Sequence, residues 1–158
     1  MTLQIVKAGI SHSRDIWEWR NDPVSRSLSR QTERVEWNEH KSWYQKYLDN
    51  KKSYLYIGIK NETSHNIPIG VIRFDLMDFN QKYYEVSINI APNSRGKGYG
   101  SLLLKRGTKK FIKDVDKCIR LYAEIKVDNL LSIGLFTSAG YSPFESNNKG
   151  FLKFFNEL

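Results

Sequence analysis

Several residue types that define common protein classes are scarce in this sequence. It has one cysteine, Cys118, which excludes an internal disulfide framework and a zinc site built from several cysteines. Only 10 glycines and 4 prolines occur among 158 residues, so collagen-like and low-complexity chains are excluded as well. No apolar run approaches the roughly 20 residues of a membrane-spanning helix, and the N-terminus lacks the apolar stretch of a signal peptide. These absences predict a reducing, cytoplasmic location and no membrane partner.

What is present is the composition of a globular protein, with 40% hydrophobic and 27% charged residues. No repeat or linker is visible, so the pattern predicts a single domain over residues 1–158. Predicted strands lie near residues 3–7, 53–60, 68–75, 83–90, 119–125, 141–144 and 151–155. One predicted helix is capped by Ser11 or Ser13 and ends at Arg20, and others lie near residues 35–48, 98–116 and 129–139. This order of elements predicts a mixed α/β fold.

Positive charge is concentrated in one segment of the chain. The net charge is +8, and the segment from Arg95 to Lys117 alone holds eight basic and two acidic residues. A run of this kind is usually the solvated face of a helix. It also suits the phosphate-binding end of a site for a small anionic ligand. Either role accounts for the charge without nucleic acid as a partner.

The most informative stretch runs from a predicted strand through a glycine-rich turn into a predicted helix. Gly96, Gly98 and Gly100 occupy every second position, beside Arg95 and Lys97. Glycine permits positive φ and the close approach of a ligand, and the first amides of a helix have no partner within it. The turn therefore predicts a pyrophosphate site, against the alternative of a tight turn with glycines for packing alone. Its spacing matches neither the dinucleotide fingerprint nor the P-loop.

Two patterns in the second half of the chain belong together. Arg95-x-x-Gly98-x-Gly100 resembles the R/Q-x-x-G-x-G/A signature of the Gcn5-related N-acetyltransferases. A second pattern of that family, N-x-x-S/A-x-x-x-Y/F-x-x-x-G-F/Y, is matched at Asn129, Ser132, Phe136, Gly140 and Tyr141. The resemblance implies a central, mostly antiparallel and splayed sheet of six to seven strands with about four helices. It also implies acetyl-CoA as the cosubstrate.

The resemblance assigns residues to the cofactor side of a site. Ile88 and Ile90, on the strand that borders the splay, would bond through their main chain to pantetheine, which fills the gap like an extra strand. A main-chain amide there would also polarise the thioester carbonyl. The pyrophosphate would lie on the turn and the helix start, formed by Arg95, Gly96, Lys97, Gly98, Tyr99, Gly100 and Ser101. The second pattern would contribute Asn129, Ser132 and Phe136.

For the reaction itself, the resemblance implies direct attack of an amine on the acetyl carbon, which requires a base for the amine proton. Glu85, on the same predicted strand, is the candidate base, with an exposed carboxylate or a salt bridge as its alternative role. His40 is a second candidate, because the pKa of imidazole lies near neutrality, and a hydrogen-bonded helix position is its alternative. Phe136 stands where the family's usual general acid is a tyrosine, and a phenyl ring cannot donate a proton.

The N-terminal third is expected to shape the acceptor site. The element Trp19-Arg20-Asn21-Asp22-Pro23, followed by His40-x-x-Trp43, resembles the branch of the family that acetylates amino sugars on nucleotide carriers. The residues expected at the acceptor are Arg20, Asn21, Trp43 and Arg73. Arginine pairs well with phosphate, and an aromatic ring stacks on a nucleotide base.

Several alternatives stay open for the acceptor. The same Trp-Arg-Asn start occurs in enzymes that acetylate the N-termini of ribosomal proteins, and other small amines suit the same chemistry. A domain that binds acetyl-CoA without turnover is compatible with Phe136. A small-molecule amine is the expected partner, and a homodimer is a further assembly to consider. No metal site is expected, because His12, His40 and His65 lack ligand-like spacing.

Overall fold

The computed structural model describes residues 2–78, 80, 82–115 and 119–158. The strands are β1 (Leu3–Lys7), β2 (Ser53–Asn61), β3 (Asn66–Asp78), β4 (Tyr83–Ile90), β5 (Arg120–Lys126), β6 (Ser142–Phe144) and β7 (Phe151–Glu157). The helices are α1 (Ser13–Asn21), α2 (Pro23–Ser27), α3 (Trp37–Asp49), α4 (Tyr99–Val115) and α5 (Leu130–Ser138), with short 3₁₀ turns at Ile10–His12 and Pro92–Ser94. This confirms the mixed α/β fold that the sequence predicts.

The seven strands form one sheet in the order β1-β2-β3-β4-β5-β7-β6. Neighbours are antiparallel except β4 and β5, which are parallel and are joined through α4 because a hairpin cannot connect parallel strands. The ladder between β4 and β5 holds three residue pairs, from Tyr83–Arg120 to Glu85–Tyr122. Beyond them, within the described chain, β4 is paired with β3 alone and β5 with β7 alone. The sheet therefore splays after Glu85.

Alternation along β4 sends successive side chains to opposite faces of the sheet. Tyr84 and Val86 join the larger core, where Phe111 of α4 stacks on Phe74 of β3 with ring centroids 4.1 Å apart. Glu85 faces the other side, where α1 and α3 pack on the sheet through a smaller core. The carboxylate at the start of the splay thus lies between the sheet and the N-terminal helices.

The structure differs from the sequence expectation just after α1. A short helix, α2, begins at Pro23, because proline suits the first helical position and the Asp22 carboxylate accepts a hydrogen bond from the amide of Ser25 at 3.1 Å. Its five residues are too few to show a hydrophobic period. The region that the sequence analysis treats as a helix end is therefore a corner between two helices.

The cap of α1 also differs from the one that the sequence predicts. Its N-cap is His12 rather than Ser11 or Ser13, and the ring Nδ1 of His12 accepts a hydrogen bond from the amide of Gly9 at 2.9 Å. The expected end of the long helix at Asp116 lies outside the described residues, as do Lys117 and Cys118. None of the helices in the described ranges is long and apolar enough to cross a membrane.

Gly107 marks a close approach of α4 to the sheet. A Cβ added there would lie 2.7 Å from Cγ2 of Ile72, a fully buried residue of β3. Because the β-branched side chain cannot move away cheaply, we expect Gly107→Ala to lower the free energy of unfolding by about 1–3 kcal/mol, despite the higher helix propensity of alanine. Denaturant unfolding followed by circular dichroism measures the change.

Gly134 in α5 provides the matched control. A Cβ there would meet nothing within 4 Å. Gly134→Ala should therefore raise the free energy of unfolding by about 0.5–1 kcal/mol, since glycine loses more conformational freedom on folding. Equal effects of the two substitutions would contradict tight packing at Gly107.

Candidate functional site

The splay leaves an opening between the second half of β4 and β5. The amide of Ala91 donates to the carbonyl of Ile69 on β3 at 2.8 Å. By alternation, the main-chain groups of Ile88 and Ile90 point away from β3, toward the side on which β5 lies. Both residues therefore present main-chain groups to the opening, on the edge where the sequence analysis expects an extended ligand.

A glycine turn lies at one end of the opening and leads into α4. Gly96 and Gly98 have φ angles of +72° and +80°, which residues with a Cβ rarely adopt. A Cβ at either position would meet nothing within 4 Å, so the outside of the turn is open space. The first amides of α4 have no partner within the helix and form the positive end of its dipole. This arrangement fits a pyrophosphate bound through main-chain amides.

The other residues at the helix start divide between surface and core. Lys97 and Ser101 are exposed, whereas Tyr99 is 5% exposed and packs in the larger core. Gly100 lies against α5, where a Cβ would be 3.5 Å from a methyl group of Leu135. Lys97 and Ser101 are thus accessible to an anion, and Tyr99 offers only its main chain.

All three guanidinium nitrogens of Arg95 have protein partners. Nε donates to the carbonyl of Ile90 at 3.2 Å, one terminal nitrogen donates to Oγ of Ser25 at 2.8 Å, and the other lies 2.9 Å from a carboxylate oxygen of Asp22. Burial raises the pKa of Asp22, but the hydrogen bonds from Ser25 and Arg95 outweigh it and hold this pKa below its usual value. Arg95 ties the end of β4 to α2, which differs from the free phosphate-binding charge that the sequence analysis expects.

The helix α5, which carries the second family pattern, begins at a capping residue. The Asn129 side chain accepts a hydrogen bond from the amide of Ser132 at 3.3 Å. Phe136 is 2% exposed and meets the ring of Tyr141 edge-on, with centroids 4.9 Å apart. The hydroxyl of Tyr141 is buried and has no hydrogen-bond partner among the residues that the structure describes. Neither ring presents a polar atom to solvent.

Two buried carboxylates meet where β4 and β5 diverge. Glu85 is 5% exposed, accepts a hydrogen bond from the hydroxyl of Tyr122 at 3.0 Å and forms an ion pair with Arg30. Arg30 also lies 3.6 Å from Glu124, to which Asn148 donates a hydrogen bond at 2.8 Å. Burial lowers the pKa of Arg30, but Glu85 and Glu124 outweigh it and raise this pKa above its ordinary value. The salt bridge named as the alternative role of Glu85 is present.

The segment Asp22–Arg30 crosses the opening on the face that carries these carboxylates, and we call it the strap. Ser25 of the strap donates through Oγ to the side chain of Asn89 on β4 at 3.0 Å. Lys126 on β5 donates to the carbonyl of Ser27 at 2.8 Å. The last residue of the strap reaches a carboxylate on each of the two strands. Both strands that border the opening therefore hold the strap.

A second cluster of charged and aromatic side chains lies on the same face, over β3. The guanidinium carbons of Arg20 and Arg73 lie 5.4 Å and 5.8 Å from the ring centroid of Trp43. Arg73 pairs with Asp75 at 3.0 Å, whereas Arg20 has no hydrogen bond or ion pair within the described ranges. Burial and the charge of Arg73 lower the pKa of Arg20, and Glu39 offsets only part of this shift. Three of the four residues expected at the acceptor are thus brought together.

The strand register connects the two clusters. Asp75 on β3 is opposite Glu85 on β4, and Arg73 is opposite Ser87. Cross-strand partners share a face of the sheet, so the guanidinium of Arg73 and the carboxylate of Glu85 project from neighbouring positions on one face. An acceptor that spans them can contact positive charge at one end and a carboxylate at the other.

Two predicted site residues hold the structure together and do not face the opening. His40 is fully buried, stacks on Tyr44, and has Nε2 3.0 Å from the carbonyl of Ser13, while burial lowers its pKa. The side chain of Asn21 donates to the carbonyl and accepts from the amide of Val35, both at 2.8 Å. Neither side chain therefore has a role in the chemistry proposed below.

Tyr122 and Glu124 belong to the carboxylate cluster but are not predicted from the sequence. Alternation along β5 places both on one face, and the parallel register places Tyr122 beside Glu85. That register depends on how the α4 crossover brings β5 to β4, so a sequence pattern indicates the shared face but not the neighbour. Among the described residues, no group of three or more potential metal ligands occurs.

Comparison with known proteins identifies a family and a set of similar folds. The profile of the acetyltransferase (GNAT) family matches residues 14–141. A domain from Methanocaldococcus jannaschii DSM 2661 is 21% identical with a TM-score of 0.84, and each chain covers 99% of the other. Spermidine N-acetyltransferase from Vibrio cholerae, solved with CoA and spermine, is 16% identical with a TM-score of 0.84, over 98% of this chain and 95% of that one. At such identities the likeness shows the fold, and no curated protein matches the sequence.

The buried hydroxyl of Tyr141 yields a stability prediction. A buried polar group without a partner costs about 1–3 kcal/mol, so Tyr141→Phe should raise the free energy of unfolding by about 1 kcal/mol. Denaturant unfolding measures the difference.

Tyr44→Phe is the matched control, because the hydroxyl of Tyr44 is buried but donates to the carbonyl of Gly9 at 2.7 Å. Loss of that bond should lower the free energy of unfolding by about 1 kcal/mol. A loss of stability in Tyr141→Phe as well would show that its hydroxyl has a partner.

Proposed function

This chain belongs to the acetyltransferase (GNAT) family and is an acetyl-CoA-dependent N-acetyltransferase, and we propose that its acceptor is the primary amine of a nucleotide-linked amino sugar. One observation carries the choice of acceptor. The half-buried guanidinium of Arg20 lies without an ion-pair partner in the described chain, beside Trp43 and Arg73, on the face that carries Glu85. A nucleotide-sugar supplies a pyrophosphate for the guanidinium groups, a base for the aromatic ring and an amine for the carboxylate.

The cofactor side of the proposed site relies on main-chain groups. Acetyl-CoA supplies the acetyl group as a reactive thioester. Pantetheine would bond to Ile88 and Ile90 as an added strand does, and the pyrophosphate would lie on the amides of residues 96–101, with Lys97 adding positive charge. The cap of α5 uses the side-chain oxygen of Asn129, so its amide nitrogen remains a donor for the pantetheine chain.

Glu85 is the residue that we assign as base. Attack of the amine nitrogen on the acetyl carbon forms a C–N bond and breaks the C–S bond, and one proton passes from the amine to a base. The carboxylate of Glu85 lies where the strands diverge and is held by Tyr122. Arg30 occupies the same carboxylate, so the amine has to displace this guanidinium before Glu85 accepts the proton. Main-chain amides of β4 would stabilise the negative charge that develops on the acetyl oxygen during the attack.

Phe136 limits how the leaving group is protonated. Its phenyl ring is buried against Tyr141, and neither ring presents a polar atom to solvent. The sulfur of coenzyme A would therefore leave as a thiolate and take a proton from water, while Glu85 holds the proton lost by the amine. A thiol pKa near 8.5 makes such a departure chemically accessible.

A polyamine is the second candidate acceptor, and the carboxylate cluster favours it. Glu85 and Glu124 surround a single guanidinium, and carboxylates bind ammonium groups through charge-assisted hydrogen bonds. The Vibrio cholerae protein of similar fold is a spermidine N-acetyltransferase solved with spermine. Arg20 and Arg73 oppose a polycation through like-charge repulsion, so the anionic acceptor ranks first.

Thiol release from acetyl-CoA against a panel of amines tests the acceptor. The panel holds UDP-linked 4-amino-4,6-dideoxy sugars, N-terminal peptides, spermidine and aminoglycosides. We expect the amino sugar to have the highest kcat/KM. Arg20→Gln should lower this value by roughly tenfold or more, mainly through KM, because a charge-assisted hydrogen bond is lost. Arg14→Gln removes the same charge from α1, where Arg14 contacts Trp17 and Trp37, and should leave kcat/KM unchanged.

Other outcomes of the panel point elsewhere. Turnover of spermidine with the amino sugars inert would replace the proposal by the second candidate. Turnover of peptides alone would indicate an enzyme for protein N-termini. Binding of acetyl-CoA with no turnover of any amine would indicate a binding module.

The base assignment has its own kinetic test. Glutamine keeps the shape of the side chain but cannot accept the proton, so Glu85→Gln should lower kcat by about 100-fold or more. The affinity for acetyl-CoA, measured by calorimetry, should change by less than about twofold, because the substitution leaves the glycine turn intact. An unchanged kcat at saturating substrate would remove Glu85 as the base.

Gly98→Glu is the contrasting variant. Its φ of +80° strains any residue with a Cβ, and the new carboxylate would face the pyrophosphate. We expect calorimetry to detect no acetyl-CoA binding by this variant. Unchanged affinity would show that the turn does not hold the pyrophosphate.

A further inference from the structure

The glycine signature of the family and the N-terminal element that resembles its amino-sugar branch meet in space. Asp22 belongs to the N-terminal element of residues 19–23, and Arg95 opens the glycine signature. Their side chains form an ion pair at 2.9 Å, and both are partly buried, with exposed fractions of 17% and 32%. The proposed chemistry uses neither side chain, so it gives no reason for an aspartate at one position and an arginine at the other.

The geometry at Arg95 differs from that of a phosphate ligand. Its guanidinium donates in three directions, to the end of β4 at Ile90, to Ser25 and to Asp22. A planar guanidinium can serve three fixed oxygens at once, whereas an ammonium group cannot match this arrangement. Lys97, two residues later, is exposed on the turn, and among the described residues its Nζ donates a single hydrogen bond, to the carbonyl of Asn93 at 2.9 Å. An exposed ammonium with one such partner keeps donors for a pyrophosphate.

The strap connects the contacts of Arg95 to the carboxylates where β4 and β5 diverge. Asp22, which Arg95 holds, also caps α2, so the ion pair fixes the start of this short helix. Only two residues lie between the end of α2 at Ser27 and Arg30. Arg30 in turn holds Glu85. The position of the guanidinium that the acceptor amine must displace therefore depends on how the strap is anchored at its other end.

We propose that Arg95 is a positioning residue for the acceptor side of the site, acting through the strap and not as a ligand of the pyrophosphate. It joins the turn on which acetyl-CoA would bind to the segment that the acceptor must pass. The inference rests on the proposed function, because the acceptor side is defined by it. Its test contains readouts that do not need an acceptor.

Three variants distinguish a positioning role of Arg95 from a role as a ligand of the pyrophosphate. Arg95→Gln removes the guanidinium group. Asp22→Asn removes the charge that pairs with this guanidinium, while asparagine keeps the helix cap. Lys97→Gln removes a charge from the same turn and serves as the matched contrast. Hydrogen exchange of the strap amides reports its anchoring, calorimetry reports the acetyl-CoA affinity, and steady-state kinetics report the acceptor KM.

In Arg95→Gln and Asp22→Asn, strap amides should exchange roughly tenfold faster or more, because a charge-assisted contact is lost. Acetyl-CoA affinity should change by less than about threefold, and the acceptor KM should rise by roughly tenfold with a smaller change in kcat. The double variant should add little to Arg95→Gln, since the ion pair that Asp22→Asn breaks is already lost when Arg95 is replaced. Lys97→Gln should show the reverse: weaker acetyl-CoA binding and unchanged strap exchange.

Loss of acetyl-CoA affinity in Arg95→Gln equal to that in Lys97→Gln, with strap exchange unchanged, would overturn the proposal and make Arg95 a phosphate ligand. If none of the amines is turned over, the proposed acceptor fails. The exchange and calorimetry results still decide the role of Arg95 in that case. Should Arg95→Gln fail to fold, Asp22→Asn provides the same comparison with its cap retained.

Discussion

The end of the β4–β5 ladder at Glu85 and Tyr122 is the constraint on which the rest of the structure depends. An interior strand normally satisfies its main-chain groups on both sides, but beyond Glu85 the described pairing of β4 is with β3 alone. Half-buried main-chain groups need another donor or acceptor. Arg95 supplies one at the carbonyl of Ile90. The other main-chain groups along this edge suit an extended ligand, and our proposal assigns them to pantetheine.

Charge on the acceptor face follows from the same divergence. Separation of the strands brings two carboxylates, Glu85 and Glu124, to the edge of the opening, where a buried carboxylate is costly without a cation. Arg30 meets that need. Arg20 has no such partner within the described residues, so a ligand can neutralise its charge. A substrate with an amine at one end and phosphate at the other matches both conditions.

Features with a strong local pattern could be predicted from the sequence. β1 and β4 begin and end where the alternation predicts, and the glycine turn precedes α4 as its signature requires. Features that depend on tertiary contacts could not. A helical histidine reads the same whether its ring faces solvent or the core, so the burial of His40 was not predictable. The ion pair of Glu85 involves Arg30, 55 residues earlier. Two partners of Arg95, Asp22 and Ser25, lie at the cap and within a helix too short to show a period.

The contacts of the strap also bear on the order in which the chain folds. Ser25 meets Asn89 across 64 residues of chain, and Ser27 meets Lys126 across 99 residues. Such contacts close long loops, and their entropy cost is repaid only once β4 and β5 are already in place. We therefore expect the strap to assemble after the sheet. Because the strap is held by polar contacts, we also expect it to detach without unfolding the strands beneath it. A segment held in this way would open as a cooperative unit of its own.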